Sequence, residues 1–136
     1  MKIEEQVLSR EQMKYLQELG VDTSDASMVW VKQEPSQNSD DEFVPWKVFV
    51  FKDWMKYYIG AETFILTYTI GDLIEKLPKD VRNYDLEIHC DFNCLGYAAR
   101  SDFEYSIEYD RLIDGLYDLL CWVSENHKEL LEVRND

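Results

Sequence analysis

Glu87, His89 and Asp91 alternate along one stretch of the chain, and Asp102, Glu104 and Glu108 along a second. Carboxylates and an imidazole gathered on one surface can move protons, hold a divalent cation or attract a basic partner. Of the six, His89 alone suits proton transfer near neutral pH. Like charges directly opposite one another on a sheet cost up to about 1 kcal/mol per pair. Such a face needs something basic or a cation to offset it, unless water and salt screen it. His89, Cys90, Asp91 and Cys94 are also metal-capable and close in sequence. Strand alternation, however, predicts Cys90 and Cys94 facing the core and His89 and Asp91 facing water. No shared metal site is expected, no cofactor is implied, and the three cysteines, Cys121 included, read as buried inert thiols.

Two further groups have chemistry to offer. Asp114, Asp118, Glu125 and Glu129 recur at helical spacing and predict an acidic stripe, the solvated side of a surface helix. Trp46, Trp54, Tyr57 and Tyr58 are interleaved with Lys47, Lys52 and Lys56. Aromatics among lysines can stack on single-stranded nucleic acid, but the net charge of −14 opposes such binding. A core strand with a partly exposed aromatic patch is the favoured reading, and the use such a patch suggests is a protein interface, including one between copies of the chain. A phosphate-cradling Gly-rich loop, His-Glu-x-x-His, Gly-x-Ser-x-Gly and Cys-x-x-Cys are all missing from the sequence.

The elements that must position these residues are legible in outline. Ser9 and Gln12 form a capping box with Leu8 and Met13 as a hydrophobic staple, so a helix is predicted over 10–19, stopped by Gly20. Strands are predicted at 28–31, 46–51 and 64–68, with an exposed polar loop at about 33–43 between the first two. Thr69 caps a short helix ended by Pro78. Strict alternation then predicts a strand over 84–94 and a second from Asp102 to Tyr109, joined through Gly96 to Ser101 as an antiparallel pair. The apolar parity is even in the first and odd in the second. From Asp110, read as the cap, an apolar stripe of Leu112, Ile113, Leu116, Leu119, Leu120, Val123, Leu130 and Leu131 predicts one long amphipathic helix.

This order predicts a single α+β domain over 1–136, an antiparallel sheet of about four or five strands with helices packed on one face. Its 136 residues suit one core. The 14% aromatic content supplies that core, while 28 acidic against 14 basic residues make an acidic globule rather than a disordered tail. Met1 to Gln6 has no apolar run, and no stretch is long enough to span a membrane, so a cytoplasmic location without membrane contact is expected.

The run from Leu8-Ser9-Arg10-Glu11-Gln12-Met13 through Ser27-Met28-Val29-Trp30, and the ending Leu112-Ile113-Asp114-Gly115-Leu116-Tyr117-Asp118-Leu119-Leu120-Cys121-Trp122, resemble small proteins encoded by phages, prophages and mobile elements of gut bacteria. The resemblance implies a genetic context and no catalytic residue. The leading expectation is a non-enzymatic binding or inhibitor-type protein that meets a basic protein surface. A DNA mimic is the first alternative, and needs the sheet face and the helix stripe to form one continuous acidic surface. The second is a cation-binding protein or acid-base enzyme using Glu87, His89, Asp91 and Glu104.

Overall fold

The structure, a computed structural model, describes residues 2–33, 45–58, 60, 63–99 and 102–132. Two of the three predicted N-caps, Ser9 and Thr69, are present. The Ser9 hydroxyl accepts from the Gln12 N–H and the Gln12 side chain accepts from the Ser9 N–H, opening helix α1 (Arg10–Glu18). Thr69 and Asp72 do the same for α3 (Ile70–Lys76). Gly20, at φ +89, takes the left-handed conformation that ends α1.

The α+β class holds, with the strands divided between two antiparallel sheets. Strands β1 (Met28–Lys32), β2 (Trp46–Val50) and β3 (Phe64–Thr67) form one in the order β2-β1-β3. The hairpin arms remain bonded as far as Gln33 and Pro45. The predicted loop at about 33–43 otherwise lies outside the described residues. Strands β4 (Asp80–Val81), β5 (Tyr84–His89), β6 (Cys94–Ala99) and β7 (Asp102–Glu108) form the second in sequence order. The β4–β5 link is a two-residue turn, Arg82 and Asn83, both at positive φ as a type I′ hairpin requires.

The predicted strand over 84–94 is a hairpin. It reverses at Cys90–Asn93, where Asn93 stands at φ +49, and residues 94–99 form β6 instead of a loop. Leu86 and Ile88 of β5, Leu95 and Tyr97 of β6, and Tyr105 and Ile107 of β7 share the inner face. The predicted change of parity is therefore present, but it occurs at the Cys90–Asn93 turn. Phe92, on the apolar side of the predicted alternation, is 74% exposed at that turn. A register shift between Tyr97 and Ala98 marks a bulge in β7. It sends Phe103 to the outer face opposite Ala98, while Tyr105 stays inside.

Helix α4 (Leu112–Asn126) covers the inner face, with Trp122 stacked on Tyr105 at 4.5 Å between ring centroids. Leu116, Leu119, Leu120 and Val123 are fully buried in the same cluster as Leu8, Met13 and Leu16. Two expectations for this helix are corrected. Its N-cap is Arg111, not Asp110, and Arg111 makes no side-chain cap; its guanidinium donates to the Glu5 carbonyl instead. The helix also stops at His127, which is buried beside Trp122. Leu130 then lies on a separate turn, α5 (Glu129–Glu132), and is partly exposed.

Candidate functional site

The outer face of the four-stranded sheet, turned away from α4, carries three cross-strand rows. These are Asp85·Ala98·Phe103, Glu87·Gly96·Ser106 and His89·Cys94·Glu108. The middle strand contributes only small side chains, so residues of β5 and β7 can lean together above it. The His89 and Phe103 rings meet edge-on at 6.1 Å, and Gly96 and Ala98 are buried beneath the neighbours. Gly96 is required there: a Cβ would overlap the Tyr105 carbonyl and stand 2.8 Å from the Ser106 Cα. The result is a shallow cleft of about 300 Å³ lined by Glu87, His89, Phe92, Cys94, Ala98 and Phe103. Glu87 Oε1 lies 2.9 Å from His89 Nε2 and orients the imidazole.

Of the six residues predicted for this face, Glu87 and His89 line the cleft, and Glu108 ends the row of His89 and Cys94 without lining it. Asp91 sits in the β5–β6 turn, and Asp102 lies at the start of β7 opposite Ala99. Glu104 occupies the bulge, 4.0 Å from Arg82. The strands carrying Glu87 and Glu104 are not neighbours, because β6 lies between them. Glu104 is engaged by Arg82 instead of Glu87. Among the described residues no three His, Cys, Asp or Glu side chains are grouped to hold a metal ion. The cysteines also differ from expectation. Cys90 is exposed in the turn and Cys94 faces the cleft, because the reversal after His89 exchanges the two faces. Cys121 is half-buried, and burial pushes its thiol up to about 11.

The acidic stripe on α4 is a lateral seam against α1. Asp114 accepts from Gln12 Nε2 at 3.0 Å, and Glu125 accepts from the Tyr15 hydroxyl at 3.1 Å. That bond raises the Tyr15 phenol above its ordinary range. Partial burial, then the neighbouring Asp114 charge, raises the Asp118 carboxyl. Glu129 belongs to α5, 3.9 Å from His127 Nδ1. Since α4 lies on the inner face of the sheet, the stripe and the cleft are on opposite sides of it.

The aromatic group also divides. Trp46 lies under the Arg10 guanidinium at 4.4 Å, on the sheet face it shares with Met28, Trp30 and Val48. Helix α2 (Phe51–Met55), which continues directly from β2, places Trp54 against Tyr58 at 4.8 Å and Phe64 at 5.1 Å on the other face. Tyr57 projects beside them, 78% exposed.

One constellation was not anticipated. Lys76, 7% exposed, donates to the Asp22 carbonyl at 2.8 Å and to Asp25 Oδ2 at 3.0 Å. The buried Tyr68 hydroxyl lies 2.6 Å from Asp25 Oδ1, and burial with this bond raises its phenol far above the ordinary value. Asp22, Asp25 and Lys76 border a cleft of about 380 Å³ together with Gly20 and Lys128. The network pins the loop before β1 to α3. Its sequence signal is Lys76 standing in the apolar stripe Leu73, Lys76, Leu77.

Comparison with known proteins adds no identity. No family model, curated protein or solved structure matches the chain.

Proposed function

We propose that this protein is an accessory protein of a mobile element that acts by binding, and that the outer sheet face is where it meets a basic protein partner. The cleft over β6 is the observation that carries the reading. Asp85, Glu87 and Glu108 stand around a floor of small residues, and Phe92 and Phe103 border it. An arginine or lysine side chain finds carboxylates for its charge and ring faces for its stem and head there. Phe92 is a large apolar side chain left open on an acidic surface, which suits the centre of a contact better than a solvated face. The mobile-element context rests on the sequence resemblance alone. Acid-base chemistry is less well served, since Glu104 is paired with Arg82 and Asp91 stands apart in the turn. A DNA mimic is less well served too, because the sheet lies between the cleft and α4.

The test is affinity capture from a host extract with three baits. Wild type and the stripe variant Asp118→Asn/Glu125→Gln should retain the same basic protein, and Glu87→Lys/Glu108→Lys should lose it. Retention by the charge-reversed cleft would remove the cleft from the account.

A further inference from the structure

Strand β7 is an edge of the four-stranded sheet: β6 pairs with one side of it, and among the described residues no backbone hydrogen bond is made to the other. The Tyr109 N–H donates to the Asn93 carbonyl at 2.9 Å across the β6 side. Alternation along the strand therefore turns the N–H and C=O groups of Ser106 and Glu108 outward, where no described backbone group meets them. The inner face is open on the same flank. Tyr105 and Ile107 are half-buried, although Tyr97 and Leu95 beside them on β6 are fully buried. The bulge at Glu104, with Arg82 4.0 Å away, interrupts the edge ahead of them and leaves residues 105–108 as regular strand.

We infer that β7 takes an extended basic segment of the partner protein as a fifth, antiparallel strand of this sheet. The inference rests on the reading of the outer face as the basic-partner site, and adds how the partner is held. Charge selects the occupant. Strand β7 carries Asp102, Glu104 and Glu108 and no lysine or arginine. A second copy would set this acidic strand against itself in a chain of −14, whereas a basic strand meets its complement. In an antiparallel pair the partner residues opposite Ser106 and Glu108 share their outer face. A basic side chain opposite Glu108 is paired directly. One opposite Ser106 can lay its stem over Ser106 and Gly96, which have little side chain, toward the cleft. The residues between them turn inward, where apolar side chains cover the open flanks of Tyr105 and Ile107. The occupant is therefore a segment that alternates basic and apolar residues, held by its main chain and selected by its side chains.

Calorimetric titration of the wild-type protein with an end-capped peptide of alternating arginine and leucine tests this without altering the fold. In the antiparallel register the arginine N–H groups point at β7 and the leucine N–H groups point away. N-methylation of two central arginine amides should weaken binding about tenfold or more, and the same change at two central leucines should alter it less than about twofold. Hydrogen exchange at the Ser106 and Glu108 amides should slow in the complex. Arginine methylation without effect, a larger effect of leucine methylation, or unslowed exchange would overturn strand addition. If Glu87→Lys/Glu108→Lys still abolished binding in that case, the acidic face would stand as the contact. An unmodified peptide that fails to bind would overturn this inference and the proposed function together. Slow exchange at the two amides without peptide, growing with protein concentration, would assign the edge to a second copy and overturn the inference as well.

Discussion

Replacing Tyr68 by phenylalanine removes one oxygen from a side chain that is 1% exposed. That hydroxyl lies 2.6 Å from Asp25 Oδ1 and 3.0 Å from the Asp22 carbonyl, and Asp25 also faces the Lys76 ammonium. A hydrogen bond to a charged acceptor contributes about 2 kcal/mol, so Tyr68→Phe should lose that much stability near neutral pH. The sign of the pH effect follows from the raised phenol. The folded state holds the Tyr68 proton well above the ordinary value of 10.0, while the unfolded chain releases it near that value. Its stabilising contribution is therefore complete below pH 10 and is lost as pH rises toward the folded value, at about 1.4 kcal/mol per pH unit. Phenylalanine has no such loss, and the other tyrosines cancel because both proteins carry them. The difference of about 2 kcal/mol should shrink to roughly 0.6 kcal/mol by about pH 11. Urea unfolding followed by tryptophan fluorescence, in reductant, at pH 8 and pH 11 measures both values. A difference that stays constant between the two would refute the buried-phenol argument, and no difference at pH 8 would refute the network itself.

Gly96→Val should cost about 3 kcal/mol or more in chemical unfolding, since its Cβ would displace the β7 backbone at Ser106; wild-type stability would mean that the bulge yields freely. Asp118→Asn should raise stability by a few tenths of a kcal/mol at neutral pH, after allowance for solvent screening. The raised Asp118 carboxyl is disfavoured in its charged form on folding, so the gain should disappear below its ordinary value of 3.8. Thermal melts at the two pH values decide it, and a loss of stability at neutral pH would contradict the desolvation argument.

What was legible in the chain is local chemistry. Ser9 with Gln12, Thr69 ahead of α3, and Gly20 announce their helix ends because capping depends on a few adjacent residues. The alternation of Leu86 with Ile88 and of Tyr105 with Ile107 reports a sheet with one wet face. Strand β6 was hidden for the opposite reason. Leu95 to Ala98 are buried on both faces, so no alternation marks them, and Phe92 preserved the even parity straight through a turn. The bulge that turns Phe103 outward depends on register between strands, which no single segment encodes. Lys76 meets Asp25 across 51 residues, a distance that only tertiary packing closes. As a result the alternation places Glu87, His89 and Glu108 on the outer face, where they lie, but puts Phe92, Cys94 and Phe103, which shape the cleft, in the core.

The proposed function requires that the outer face over β6, and not the acidity of the chain as a whole, recognise basic protein. Nuclear magnetic resonance titration of the isotope-labelled protein with a short peptide alternating arginine and leucine tests it most directly. Saturable shifts should concentrate on the amides of His89, Cys94, Gly96, Ala98 and Phe103, and Glu87→Lys/Glu108→Lys should abolish them. Shifts spread evenly over the acidic surface, or centred on Asp114, Asp118 and Glu125 of α4, would contradict the account.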